Sequence, residues 1–224
     1  MDANARRKIM EQRLKGMRSW SDSYKLPDHK PGEYSTLRIV RPNYLPDKFV
    51  PWFESKEYQF NGGTKDFKCF DAPSYYGYPD PMADAGAQAR QAYRCFVVDL
   101  DDVDSGLQEW KFGVAIARKL TECALDKRSN PDFWDVDSGH NIEIRKTKPS
   151  PNKTEFNVTF SQQCPLDDGA RWQELANSRD LCAGIKVDTP EILSKFMETG
   201  QYDYEEAAQA RADRDNSEGR RSEE

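Results

Sequence analysis

The apolar positions of this chain change period along its length. In residues 1–18 Met10, Leu14 and Met17 fall at i, i+4 and i+7, the spacing of one helical stripe. Ala3, Ala5, Arg6, Arg7 and Lys8 are mostly good helix formers. A stripe this narrow predicts a helix that orders only when docked. From residue 33 the period is two, with Leu37 and Ile39 opposite Thr36, Arg38 and Val40. Residues 49–61 continue it, with Trp52, Glu54, Lys56, Tyr58 and Phe60 on one face and Phe53, Ser55, Glu57 and Gln59 on the other. The first face is the expected ligand or core surface. Asn61-Gly62-Gly63 signals a tight turn, and residues 64–70 return as a strand. Residues 71–92, broken by Pro73, Gly77, Pro79, Pro81 and Gly86, read as an irregular insert.

Residues 93–100 form the most continuous apolar run, the mark of a central strand. A turn at 101–106, a strand at 107–114, a helix at 116–126 and a hairpin of 141–148 with 154–162 follow. Thr189-Pro190-Glu191 starts a helix that stops at Gly200. Beyond Tyr204 the Glu, Ala, Arg, Asp and Ser composition predicts disorder. Strands of unequal length with one helix between them predict a β-rich α+β protein. Within that class they fit a five-stranded Greek-key oligonucleotide-binding (OB) barrel with peripheral helices. The expected division is a basic arm (1–20), a core (21–200) with insert 71–92 and helix 189–199, and an acidic tail (201–224).

Net charge is −6, yet the ends differ in sign. Residues 1–20 carry six cations and two anions, whereas residues 198–224 carry nine anions and four cations. Such asymmetry marks interaction tails. No apolar run reaches the ~18 residues of a membrane span, and the start lacks the apolar stretch of a secretory signal, so a cytoplasmic location without membrane contact is expected. Cys69, Cys95, Cys123, Cys164 and Cys182 are widely spaced with no CxxC, which predicts reduced thiols and neither disulfide framework nor zinc. No metal or other cofactor is expected.

Residues 34–78 hold 12 of the 26 aromatic side chains, with Arg and Lys threaded among them. Rings interleaved with cations suit a strand of unpaired nucleotides, whose bases stack while phosphates meet the charges. Tyr58, Phe60, Tyr75, Tyr76, Tyr93, Trp110 and Phe112 are the candidate stacking rings, each with membership of the core as the alternative. In Trp110-Lys111-Phe112, alternation lets either the two rings or the lysine face a ligand, not both. Arg38, Arg41, Lys56, Lys68, Arg94, Lys111, Arg145, Lys146 and Lys148 are the candidate phosphate contacts. Asp99, Asp101, Asp102 and Asp104 fail the calcium-loop template at Val103 and read as a solvated turn. A carboxylate-metal nuclease built on them is one alternative function, and a non-nucleic-acid assembly protein on a small barrel is another. His29 and His140 stand alone, and no catalytic motif appears, so no enzyme activity is expected.

Over residues 33–166 the order of segments resembles the single-stranded DNA-binding (helix-destabilising) proteins of tailed bacteriophages. Carriers are Leu37-Arg38-Ile39-Val40-Arg41-Pro42, Val50-Pro51-Trp52-Phe53 and Tyr93-Arg94-Cys95-Phe96-Val97-Val98-Asp99. They continue with Ser105-Gly106-Leu107-Gln108-Glu109-Trp110-Lys111-Phe112-Gly113, Asn141-Ile142-Glu143-Ile144 and Phe156-Asn157-Val158-Thr159-Phe160. The resemblance implies a sequence-independent protein that coats and protects unpaired DNA in replication or recombination. It implies a basic arm, at Arg6, Arg7 and Lys8, that contacts neighbouring protomers for cooperative binding. It also implies an acidic tail that recruits replication or recombination proteins. The chain departs from the pattern in its insert, where the best-known members hold zinc and this one offers only Cys69.

Overall fold

A computed structural model describes residues 23–45, 50–61, 67–126, 129–150, 153–181 and 185–221. Arg6, Arg7 and Lys8, expected in the arm, lie outside the described residues. The chain divides into two compact units, Met1–Phe53 with Tyr93–Cys182 and Glu54–Ala92 with Ala183–Glu224.

The protein is β-rich α+β. In the first unit the strands run β1 (Ser23–Tyr24), β6 (Leu107–Gly113), β5 (Arg90–Asp99), β2 (Ser35–Val40), β7 (His140–Ser150) and β8 (Lys153–Gln163). The apolar run of β5 is central, as its composition predicts: every side chain from Tyr93 to Val98 is buried. β5 and β7 flank β2 antiparallel, with Leu37 opposite Asp99 on one side and Ile142 on the other. The sheet is not closed into a barrel, which corrects the expected five-stranded closure. Its path is open, with the two-residue β1 lying parallel on β6 at one end and β8 at the other.

Both faces of the central strands are covered, because side chains alternate across a strand. On one face Leu37, Ile39, Tyr93, Cys95, Val97, Trp110 and Phe112 pack with Trp52, Phe133 and helix α2 (Val114–Ala124). On the other, Val40, Phe96, Val98 and Leu107 pack with Trp172 and Ala176 of α3 (Gly169–Ser178).

Arg38 is fully buried (0% exposed) on this second face. Its Nη1 donates to Asn141 Oδ1 at 3.1 Å, and its Nη2 to the carbonyls of Asp135 at 2.9 Å and Cys164 at 2.8 Å. Asn141 is the second residue of β7 and Cys164 follows β8, so one guanidinium ties the root of the β7–β8 hairpin to β2. Burial pulls its pKa down, an effect the side chains of Cys164 and Asp135 oppose.

In the second unit β3 (Phe53–Asn61) pairs antiparallel with β4 (Phe67–Asp71), Tyr58 opposite Phe70. Tyr58, Phe70, Met82 of α1 (Pro81–Asp84), and Leu193 and Phe196 of α4 (Pro190–Thr199) form its core. The buried Asp80 carboxylate accepts from Tyr58 Oη at 2.9 Å, Ser74 N at 3.2 Å, Ser74 Oγ at 2.7 Å and Ala83 N at 3.1 Å. Burial acts to raise the Asp80 pKa, but these four donors outweigh it and hold the carboxyl below its ordinary value.

The tail expected to be disordered is instead helix α5 (Tyr204–Arg221). Its Ala, Glu, Gln and Arg content favours helix, and Asp203 Oδ1 accepts from the first-turn amides of Glu205 and Glu206. Lys195–Glu206 and Arg211–Asp188 ion pairs hold it, and Ala207 is buried. Among the described residues no helix is long and apolar enough to cross a membrane.

Two outcomes follow from these buried charges. Arg38→Ala is expected to cost about 1–3 kcal/mol for each buried acceptor it leaves unmet, and Arg38→Lys should not restore it, because one ammonium lacks the planar fork. Chemical denaturation measures both, and wild-type stability in either variant contradicts the clamp. Asp80 titrates lower folded than unfolded, so its contribution is present above the unfolded carboxylate value, about 3.9, and fades as pH falls through the folded one. Asp80→Asn should lose roughly 1.5–3 kcal/mol at neutral pH and blunt the acid sensitivity of amide exchange over residues 73–84. Unchanged exchange contradicts it.

Candidate nucleic-acid interface

The central strands spend most of their predicted rings on the core. Trp52 meets Tyr93 edge-on at 5.9 Å and Phe112 at 5.9 Å, while Tyr93 and Phe112 stack at 5.8 Å. Trp110 lies 4.6 Å from Phe112. Both β6 rings point into the core, so Lys111, half-buried, faces the opposite side of the strand. Tyr58 is buried as well, its pKa pushed up to about 12 chiefly by burial and further by Asp80. Pulling a core ring out costs about 3–5 kcal/mol, more than the ~1–3 kcal/mol that stacking one base returns. Tyr58, Tyr93, Trp110 and Phe112 are therefore structural, contrary to expectation.

Three of the predicted cations are structural too. Besides Arg38, Arg94 is buried and paired with Glu109 at 2.9 Å. Arg41 wraps the loop after β2, donating to the carbonyls of Val50 at 3.2 Å, Pro42 at 3.3 Å and Leu45 at 2.8 Å. The strand period placed Arg38 and Arg94 on a sheet face that the sequence left open and that is covered in the fold, whereas Arg41 lies just beyond the strand. The side chains of Phe60 and Lys68 lie outside the described residues.

The predicted residues that remain at the surface gather in two places. In the second unit Lys56 is exposed, with its ammonium 6.0 Å from the Tyr75 ring centroid. Tyr75 is 42% exposed and meets the half-buried Tyr76 edge-on at 5.3 Å. Burial, helped by Glu54, raises the Tyr75 pKa.

In the first unit Arg145, Lys146 and Lys148 share β7. Period two sends Arg145 to one face of the hairpin and both lysines to the other. On the lysine face, residues 26–29 lie against β7. The His29 amide donates to Lys146 O at 2.8 Å, and the Lys146 amide donates to His29 Nδ1 at 3.0 Å. Asp28 pairs with Lys148 at 2.7 Å and Lys146 at 2.9 Å, and these bonds lower its pKa.

On the other face Arg145 stands opposite Asn157, and Glu143 opposite Thr159. With Glu33 and Tyr34 they line an open cleft of about 240 Å³. Tyr34 is 53% exposed. Arg145 Nε is buried without a hydrogen bond, and among the described residues no carboxylate pairs with the Arg145 guanidinium. Sequence reasoning found Arg145 but passed over Tyr34 as a site. The available signal was an aromatic two residues after the Pro31-Gly32 turn, ahead of the strand that would have buried it.

The acidic cluster holds its own turn. Asp101 Oδ2 accepts from Thr36 N at 2.8 Å, Asp99 Oδ1 from Asp101 N at 3.0 Å and Asp102 Oδ2 from Ser105 Oγ at 2.5 Å. His140 is buried, with Nε2 accepting from Asn130 N at 2.9 Å and Nδ1 2.7 Å from Ser161 O, so its ring is a structural link. Among the described residues no group of three or more His, Cys, Asp or Glu is arranged to hold a metal ion. Set beside known proteins, the chain matches no protein-family model and no curated protein.

Proposed function

We propose that this is a single-stranded DNA-binding protein whose β7–β8 hairpin grips the unpaired strand. The observation that carries the reading is the exposed Tyr34 ring sharing a cleft with a half-buried Arg145 that forms no ion pair among the described residues. A core-forming ring would be covered, as Tyr93 and Trp110 are. In this reading a base stacks on Tyr34 and is held by Arg145. Lys146 and Lys148 attract phosphates, exchanging Asp28 for them. The charges on both hairpin faces act together, because attraction persists over a Debye length of about 8–10 Å. Lys56, Tyr75 and Tyr76 offer a second ring-and-cation patch in the other unit. The segment order that resembles phage helix-destabilising proteins supports an OB-related core, cooperative coating through Arg6, Arg7 and Lys8, and a role in replication or recombination. It also supports a tail that recruits partner proteins. Binding only the unpaired strand shifts the duplex equilibrium by mass action.

Fluorescence titration with oligo(dT) tests this. The account expects salt-reversible binding, weakened roughly fivefold or more by Tyr34→Ala, the lower end of what one stacked base contributes. Lys146→Ala and Lys148→Ala should each reduce the slope of log affinity against log salt by ~0.7. Absence of binding, or variants that titrate as the wild type does, contradicts it. Cleavage of the oligonucleotide with magnesium would favour a nuclease instead.

A further inference from the structure

We propose that the Tyr34–Arg145 cleft is a nucleobase subsite that prefers guanine. The inference rests on the single-stranded reading above and goes beyond it, since coating alone requires no preference among bases.

The size of the cleft points to one ring. Its 240 Å³ falls below the roughly 300–1,000 Å³ of sites that enclose whole small molecules. Its charge points away from phosphate. Glu33 and Glu143 share the lining with a single guanidinium, so an anion entering here meets two carboxylates for one cation. A neutral, flat group bearing both donors and acceptors fits better, and a nucleobase is such a group.

The arrangement of donors and acceptors narrows the choice. Arg145 and Glu143 lie two residues apart on the same face of β7, and neither is spent on the other. Glu143 Oε2 receives the Thr159 hydroxyl at 3.5 Å, which leaves Oε1 to accept from a ligand. Arg145 supplies a fork of N–H donors. Guanine presents two adjacent acceptors, O6 and N7, to an arginine fork. On its neighbouring edge it presents two adjacent donors, N1–H and N2–H, to a carboxylate. Adenine offers one acceptor and one donor on the edge an arginine reads. Cytosine and thymine likewise satisfy at most one of the two side chains in bidentate fashion. Tyr34 provides the stacking surface that every base accepts, so the preference comes from the charged pair and not from the ring.

The test uses the full chain and oligo(dT) hosts carrying one central dG, dA, dC or deoxyinosine, compared by competition at fixed salt. The dG host should bind at least about fivefold tighter than oligo(dT), the lower end of one bidentate base contact. Deoxyinosine, which lacks N2–H, should lose part of that gain in the wild-type protein. Glu143→Gln should narrow the dG-to-dT ratio. Equal binding of all hosts, or a ratio that survives both changes, overturns the guanine subsite and leaves the single-stranded reading standing. Failure of every host to bind overturns both.

Discussion

The hairpin that carries the proposed interface is anchored by one buried cation. Arg38 reaches from β2 to Asn141 at the start of β7 and to the carbonyls of Asp135 and Cys164, with no carboxylate in hydrogen-bonding contact. A guanidinium taken out of water is costly unless its donors are met. Nε has no hydrogen-bond partner among the described residues, and meeting the two terminal nitrogens requires the 133–139 turn and the segment after β8 to close around them. Other bonds converge on the same closure: Cys164 N donates to Gly139 O at 3.0 Å, and Leu166 N to Val136 O at 2.7 Å. Gly139 is fixed by this crowding, since a Cβ there would stand 2.4 Å from Asp135 O. The hairpin's orientation thus depends on a polar contact inside an otherwise apolar layer.

A second constraint explains where binding chemistry has room. A sheet covered by α2 on one face and α3 on the other has no open surface in its middle. Its rings and arginines serve cohesion, and the candidate ligand-facing groups lie instead at the β7–β8 margin and in the insert. Lys148, Lys153, Thr154 and Glu155 near the hairpin's end are all exposed. Such a margin can meet a flexible strand on both faces without disturbing the core.

Much of the fold was legible because its signals were local. The apolar run of β5, the alternation of β2 and β7, and the Thr189-Pro190 start and Gly200 stop of α4 each follow from short-range chemistry. The α3 helix was missed, although Trp172, Leu175 and Ala176 fall at helical spacing. The α5 helix was missed because composition alone does not reveal the Arg211–Asp188 and Lys195–Glu206 pairs that hold it. The site was less legible for one reason. Period two tells which side chains share a face but not which face another element covers. Arg38, Arg94, Trp110 and Phe112 went to covered faces, whereas Arg145, Lys146 and Lys148 went to a strand near the sheet's edge.

The most direct measurement is ultraviolet crosslinking of the full chain to an oligonucleotide carrying photoreactive thymine analogues, with the modified peptides mapped by mass spectrometry. The account predicts adducts at Tyr34 and on β7–β8, removed by excess unlabelled single strand and retained against duplex. Adducts confined to other surfaces, or equal competition by duplex, would contradict it.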